Sequence, residues 1–494
     1  METIEQEVAS QERPLGQVVT RALGWSTVGQ VINRLGTFAA GIVLARLLAP
    51  EDFGVFAAIL VVVNVLMTVN DVGIIGAVVR WQGDVRNATG TALGIVASLS
   101  VAFYALLYVG APAFAGALGI PEAVGMLRIV ALVVVVDGIS GVSQALLLRA
   151  FRQGRMLVAE TVGTVVYIAV AMVLASAGHG PWSIVWARLL GTVVTGGLIF
   201  AFAPIRGPLH FDRQVARELI RFGLPQAGAA IMTEGLLNVD YLIVGHVLGA
   251  APLGIYLLAF NLSSWPTSMV GLAVGRVAFA SFARLVEDRR RLVEAFPRTI
   301  GVAVAGILPL VLMLGVLGPE VIRFVYGDKW LPAVTALRFL LVLGALRIVI
   351  ELLGNLVSAD GRPKVNLAIR FLWLVVLIPV LLVGANVDGI RGVGIGHMVV
   401  VLGLVLPLFV RAVGVSGIRP GALWRYSWRA LAAAAAAGAV MLLLLPVAHG
   451  LFRLALLGSA GLAVYGLVLV PANPLIGWVA RQVRPRPAGS PAPA

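Results

Sequence analysis

Apolar residues run along this chain in blocks of about twenty or more, without the strict alternation of a half-buried strand. Val55–Val69 with its flanks is one such block. A membrane-spanning helix needs about 20 apolar residues and a barrel strand only about 10, so the pattern predicts helices that cross a bilayer. Spans are expected at 24–48, 53–79, 89–113, 124–149, 156–177, 181–203, 222–249, 253–280, 297–318, 333–357, 364–385, 391–412, 429–447 and 453–472. Residues 15–23 are expected to form a short interfacial helix.

Composition makes a soluble domain untenable. The 494 residues are 60% hydrophobic and 12% charged, with mean hydropathy +0.99. A soluble domain carries about 25% charge. A net charge of +14 would suggest nucleic acid in a soluble protein; here no nucleic-acid partner is expected, because the basic residues mark loops. One set of loops holds Arg80 and Arg86; Arg149, Arg152 and Arg155; Arg206, Arg213, Arg217 and Arg221; Arg284, Arg289, Arg290, Arg291 and Arg298; Arg362 and Lys364; and Arg411, Arg419, Arg425 and Arg429. The alternate set holds little more than Arg323, Lys329, Arg391 and Arg453. The basic set is expected on the cytoplasmic side, with both termini, in a multi-pass protein of the cytoplasmic membrane. There is no cysteine, which excludes disulfides, thiol catalysis and Cys-based metal sites. Met1–Gln17 lacks the basic segment and cleavage site of a signal peptide, so the N-terminus is expected to be retained.

The chain repeats itself. Leu47–Phe56 resembles Val247–Tyr256 at an offset of 200. Leu127-Arg128-Ile129 resembles Leu337-Arg338-Phe339, and Gln153-Gly154-Arg155 resembles Asp360-Gly361-Arg362. Spans 1–6 then match spans 7–12 in one orientation, as in secondary transporters with parallel repeats and a substrate site between them. The expected fold is all-α and membrane-integral, with about 14 helices. Two six-helix lobes are related by a pseudo-twofold along the membrane normal, and two helices follow. The expected organisation is an N-terminus (1–23), an N-lobe (24–205), a cytoplasmic linker (206–221), a C-lobe (222–413), spans 13–14 (414–480) and a disordered tail (481–494).

Several segments resemble one family. Ala45-Arg46-Leu47-Leu48-Ala49-Pro50-Glu51-Asp52-Phe53-Gly54 is similar to the first-loop motif of Wzx-like polysaccharide flippases of the multidrug/oligosaccharidyl-lipid/polysaccharide (MOP) exporter superfamily. Asn70-Asp71-Val72-Gly73-Ile74 resembles its Asp-hydrophobic-Gly element. Tyr326–Ala333 and Ser358–Pro363 also look like family segments. The resemblance covers most of residues 20–415 and is nearest to the lipopolysaccharide and exopolysaccharide branch. It implies a MATE-like, V-shaped pair of lobes. It also implies transfer of an undecaprenyl-diphosphate-linked oligosaccharide to the outer leaflet by alternating access. Implied partners are that polyprenyl-linked glycan, membrane lipid, and polysaccharide polymerase or export machinery.

Such cargo needs a polar, cationic cavity, and Arg suits diphosphate through its fork of donors. Ionisable groups at bilayer depth cost roughly 2.5–3.5 kcal/mol or more each, so they are functional candidates. Arg46, Arg128 and Arg338 lie near span ends and read as snorkelling. Arg276, Arg370 and Arg188 could meet a diphosphate or equally snorkel. Arg34 and Arg347 are close to mid-span. Span 1 carries a polar stripe of Gln30, Asn33, Arg34, Thr37 and Gly41; span 7 carries Gln226, Thr233, Glu234, Asn238 and Tyr241. Both stripes keep helical spacing and so share a face. The substrate-binding candidates are therefore Arg34, Arg347, Arg370, Arg276, Arg188, Gln30, Asn33 and Asn238.

At offset 200 Arg34 corresponds to Glu234, and at offset 210 Asp137 corresponds to Arg347. Pairs Asp137–Arg34 and Glu234–Arg347 are expected within lobes, opened when diphosphate competes for the Arg. A static ion pair fixing helix packing fits the same pattern. With Asp240 and Glu351, these acids are the candidates for H⁺ or Na⁺ coupling; no other cofactor is expected. Asp71 and Glu160 read as caps or partners of loop Arg, and His246 and His397 as packed polar residues. No His/Cys/Asp cluster has metal spacing. Trp265-Pro266, followed by Gly271 and Gly275, is a hinge or a fixed kink in span 8.

No G-x-x-x-x-G-K-[ST] loop exists, so an ATP-driven mechanism is excluded and a non-enzymatic secondary transporter is expected. A polyprenyl-linked glycosyltransferase or polymerase would carry a large extramembrane domain or an acid-rich outer loop. A cationic drug exporter would favour acids and aromatics at depth. A lipid-linked peptidoglycan precursor flippase shares the same physics. If Arg34 is a specific diphosphate ligand, Arg34→Lys lowers the flipping rate even though charge is kept; a wild-type rate removes it from the site.

Overall fold

The computed structural model describes residues 36–71, 73–203, 211–285, 289–446 and 450–470. Among them every regular element is helical. In chain order the helices are α1 (Gly36–Leu47), α2 (Pro50–Asp71), α3 (Ile74–Arg80), α4 (Val85–Ala117), α5 (Val124–Val130), α6 (Leu132–Arg149), α7 (Gln153–Ser176) and α8 (Trp182–Phe202). They continue with α9 (Arg213–Leu248), α10 (Ala250–Leu285), α11 (Arg289–Val325), α12 (Ala333–Ala359), α13 (Pro363–Val400), α14 (Leu406–Val415), α15 (Pro420–Leu444) and α16 (Gly450–Leu469).

Ten described helical stretches are long and apolar enough to cross a membrane. The stretch Pro363–Val415 holds both expected spans 11 and 12. The chain reverses inside it at Asp388 and Gly389, whose backbone is not helical. Beyond that turn a π-helical segment, Val401–Val405, separates α13 from α14. Residues 24–35 of span 1, the interfacial helix at 15–23 and the tail at 481–494 lie outside the described residues.

Two expected boundaries are corrected. Span 2 is not one helix over 53–79: it ends at Asp71 and resumes at Ile74, across Gly73 at φ 64. That backbone is left-handed, which glycine adopts without a Cβ clash. A buried polar knot holds the break. Asn70 Nδ2 donates to the Val134 carbonyl at 3.2 Å, and Ser100 Oγ donates to Asn70 Oδ1 at 2.9 Å. Span 7 does not begin at 222, because its helix starts at Arg213. Asp212 caps it, accepting from the Gln214 and Val215 amides at 2.8 and 3.2 Å. Asp212 also accepts from Asn87 Nδ2 at 3.1 Å, and its amide donates to Thr91 Oγ1. These bonds fix the start of α9 to α4. Leu219, fully buried, then packs with Ile74, Val78, Val96, Val142 and Leu146.

The chain divides into two compact units, 1–254 and 255–494. In the first, α7 and α8 approach closely at small residues: a Cβ on Gly163 would lie 3.0 Å from Thr195 Cβ and 2.9 Å from the Gly191 carbonyl. Arg149, ending α6, donates to the Val78, Val79 and Trp81 carbonyls at 3.4, 3.2 and 2.6 Å, closing the end of α3. α9 runs against α2, which is why it falls in the first unit although the repeat assigns it to the second copy.

In the second unit α11 packs on α15 and α16 through Leu317, Met441 and Leu457. Arg453 Nη1 meets Glu320 at 2.5 Å, and Arg453 Nη2 donates to the Leu445 carbonyl at 2.8 Å. Arg362 gathers Asp360, Ser416 and the Ala412 carbonyl, joining the end of α12 to the end of α14. Large apolar side chains such as Val109, Val173, Val387, Leu443 and Leu467 point outward, as a lipid-facing surface requires.

Arg453 and Glu320 have only 22% and 14% of their side chains exposed, so removing one partner strands the other. Arg453→Ala is expected to destabilise the second unit by about 3 kcal/mol, and Glu320→Gln by less. Denaturant titration of the purified protein in detergent measures both.

Candidate functional site

One helix of the second unit carries a row of polar groups. α12 carries Arg347, Glu351, Asn355 and Ser358 at roughly four-residue steps, which stack along one side of the helix. Gly344, one turn earlier, lets α10 come close: a Cβ there would meet Thr267 Oγ1 at 2.5 Å and the Ser263 carbonyl at 3.3 Å. This approach sets Arg347 over the Phe260 ring, its Cζ 5.3 Å from the centroid. A guanidinium over an aromatic face gains cation–π attraction but keeps its donors available. Arg347 Nη2 is buried and has no hydrogen-bond partner among the described residues. A buried unsatisfied donor costs about 1–3 kcal/mol, more for a charged group, which an anionic ligand would recover.

One turn further, Arg370 on α13 reaches Glu351. Its Nη2 lies 3.0 Å from both carboxylate oxygens, while its Nε donates to Asn366 Oδ1 at 3.2 Å. Asn366 in turn donates to Ser358 Oγ at 2.9 Å. Gly354 makes room for Asn366, whose Oδ1 would be 3.0 Å from any Cβ placed there. The Glu351 side chain is 56% exposed and that of Arg370 16% exposed, so the pair is open on its acidic side. Neither Asn366 nor Ser358 was expected as a site residue, although Asn366 and Arg370 stand one helical turn apart.

Pro266 lies inside α10, which continues through it. Its neighbour Thr267 packs on Gly344, one turn from Arg347. A proline there removes one backbone bond at the point where the cation-bearing helix is closest.

The first unit holds the remaining candidates. Glu234 accepts from Asn238 Nδ2 at 2.8 Å on the same helix. Asp240 is 1% exposed and takes the Tyr241 amide at 3.0 Å. Arg188 on α8 has a buried Nε with no partner among the described residues, and nearby Gly191 packs against Tyr167 of α7. Asp137 lies on α6, where its carbonyl accepts from Ser140 Oγ. Gln30, Asn33 and Arg34 lie outside the described residues, as does the side chain of Arg276.

The expected pairing of Glu234 with Arg347 within one lobe is corrected. Glu234 belongs to the first unit and Arg347 to the second, with Asn238 and Phe260 as their respective neighbours. The ion pair that does form joins Arg370 and Glu351. Arg128 Nε donates to the Tyr108 carbonyl at 3.1 Å, and its guanidinium covers that ring. His397 is fully buried, with Nε2 at 3.5 Å from the Tyr256 hydroxyl. His246 Nδ1 contacts the Ala117 carbonyl at 2.6 Å. Among the described residues no group of three or more His, Cys, Asp and Glu could hold a metal ion.

Comparison with known proteins follows the same lines. The family described as polysaccharide biosynthesis protein matches residues 43–335. The succinoglycan biosynthesis transport protein ExoT of Rhizobium meliloti (strain 1021) is 28% identical over 322 residues, 64% of this chain and 64% of that one. The chain thus spans just under two-thirds of that relative. The lipopolysaccharide biosynthesis protein WzxC of Escherichia coli (strain K12) is 24% identical over 400 residues, 80% of each chain. Among solved structures, the lipid II flippase MurJ in an inward closed conformation superposes with a TM-score of 0.77. Its identity is 14%, and the match covers 93% of this chain and 99% of that one. An inward-facing multidrug resistance MATE family transporter of the MOP superfamily reaches 0.63 at 18% identity, covering 80% and 98%. At these identities the two structures speak for the fold alone.

In the Arg370–Glu351 contact a single nitrogen, Nη2, is shared between the two carboxylate oxygens, and the acid is half open to its surroundings, which limits its strength. A double-mutant cycle with Arg370→Gln and Glu351→Gln is expected to give a coupling of about 1 kcal/mol in detergent unfolding. A coupling near zero would mean that the pair is not formed.

Proposed function

Because the chain belongs to the polysaccharide biosynthesis protein family, we propose that it is a flippase for a lipid-linked oligosaccharide. It carries an undecaprenyl-diphosphate-linked repeat unit from the inner to the outer leaflet of a bacterial cytoplasmic membrane, supplying surface polysaccharide synthesis. No covalent bond of the cargo changes, so it is a transporter and not an enzyme. Fourteen spans, in two six-helix lobes with two helices appended and both termini cytoplasmic, form the working architecture. Its partners are the polyprenyl-linked glycan, the surrounding lipid, and the polymerase or export machinery that takes the product.

The observation that carries this reading is Arg347. A mid-helix guanidinium with a buried, unpartnered donor is poised for an anion and has little to gain as a packing element. Arg370 supplies a second cation one turn away, held by Glu351 in a contact weak enough to be exchanged. A diphosphate arriving at Arg347 and Arg370 displaces the Glu351 carboxylate. The released carboxylate then takes up H⁺ or Na⁺, which links cargo movement to an ion gradient. Arg188 and Arg276 extend the cationic path, and Gln30, Asn33, Arg34 and Asn238 line it. Glu234, Asp137 and Asp240 are further acids available to the coupling ion, and Pro266 is the hinge.

Deleting the gene is expected to remove one surface polysaccharide and trap its lipid-linked repeat unit on the cytoplasmic side. Surface glycan analysis together with the polyprenyl-diphosphate pool reads this out. Lysis with accumulated peptidoglycan precursor would transfer the cargo to the cell wall. Unchanged glycans with altered sensitivity to cationic drugs would sink the flippase reading in favour of drug export.

A further inference from the structure

The repeated segments Leu47–Phe56 and Val247–Tyr256 meet each other. α2 begins at Pro50 and α10 at Ala250, the same offset of 200 that relates their sequences. Within the first unit the two helix starts cross at a pair of glycines. A Cβ on Gly54 would lie 1.8 Å from the Ala250 carbonyl oxygen and 2.9 Å from the Ala250 Cα. A Cβ on Gly254 would lie 1.8 Å from the Pro50 carbonyl oxygen and 2.9 Å from the Gly54 amide nitrogen. The contact is reciprocal: residue 54 meets 250 and residue 254 meets 50. Such mutual contacts define a local twofold.

Neither glycine has the positive φ that would explain it by conformation; each is interior to the first turns of a regular helix. Glycine in a helix costs about 1 kcal/mol relative to alanine, so both positions give up helix stability for backbone approach. What meets there is carbonyl oxygen against Cα, with no side chain at the two glycines to interlock. A backbone contact of this kind is close but has no knob that must be withdrawn from a hole. The loop charges put this end of both helices on the outer face, opposite the Arg-rich loops.

We propose that Gly54 and Gly254 are the closing contact of an outer gate, which parts and re-forms once in each transport cycle. The proposal rests on the transport reading above. Glycine at both positions sets how far the outer ends of α2 and α10 close. Any side chain at either one holds them apart.

The chain has no cysteine, so introduced thiols react without background. Pro50→Cys and Ala250→Cys together place one thiol on each helix at the crossing. A short bifunctional methanethiosulfonate, whose disulfide links a reductant cleaves, is expected to join them and stop delivery of surface glycan; reductant then restores it. Adding Gly54→Ala forces the backbones apart, as overpacking does, and lowers cross-linking about threefold. Gly254→Ala does the same, and the two together do little more than either, because one separation relieves both clashes. Labelling of Ala58→Cys by an impermeant maleimide rises in parallel.

Normal glycan delivery by the fully linked protein would make the crossing a fixed pivot and overturn the proposal. So would unchanged cross-linking and labelling in both alanine variants. Cross-linking and labelling need no cargo, so they stand even where the transport reading fails. That failure shows separately, as unlinked wild-type protein that does not restore glycan to the deletion strain. An alanine variant that does not accumulate is replaced by the linked wild-type glycine background, whose reversible arrest decides the matter alone.

Discussion

Hydrocarbon offers no water to a stranded polar group, and that constraint orders the whole molecule. Each backbone amide must be paired within its helix or capped by a side chain, and each charge needs a partner or a purpose. Where helices end, cations close them. Arg149 collects the last carbonyls of α3, and Arg362 takes the Ala412 carbonyl of α14. Where a helix breaks, neutral polar side chains repair it, as Asn70 and Ser100 do beside Gly73. Against this thrift, an Arg347 donor left buried and unpaired is costly, and it is the kind of cost that a binding site carries.

The bilayer made the large features easy to read from sequence. Long apolar blocks become helices because no other local structure satisfies their amides in lipid. Where α9 starts was harder. The 213–221 segment reads as a charged linker, since Arg213, Arg217 and Arg221 dominate it. Leu219 and the Asp212 cap make it helix instead, and neither effect shows in hydropathy. The break at Gly73 was similarly hidden. Asn70-Asp71-Val72-Gly73 was visible as a motif, but a left-handed residue is chosen by the tertiary bonds that Asn70 makes.

Partners of charged residues were the least legible. The repeat aligns Arg34 with Glu234 and Asp137 with Arg347, which suggested pairs by symmetry of position. Arg34 lies outside the described residues, and for Glu234 and Arg347 packing chose otherwise. Glu234 turns to Asn238 one turn away, because a side-chain amide on the same helix face costs no rearrangement to reach. Glu351 finds Arg370 because Gly354 admits Asn366 and draws α13 against α12. Alignment of a repeat gives the backbone address of a residue. Which neighbour it meets depends on the small residues beside it, which differ between the copies.

The same small residues bear on how such a protein changes state. A transporter needs contacts that close firmly and still release, so no single one can hold too tightly. An ion pair open on one side and a backbone crossing without interlocked side chains both have this character. The first is exchangeable because solvent or a competing anion can replace the carboxylate. The second is exchangeable because the two glycines have no side chains to interlock. A largely buried pair such as Arg453–Glu320 would serve badly at either point, since opening it strands two charges. Its place between α11 and α16, within the second unit, is where permanence carries no penalty.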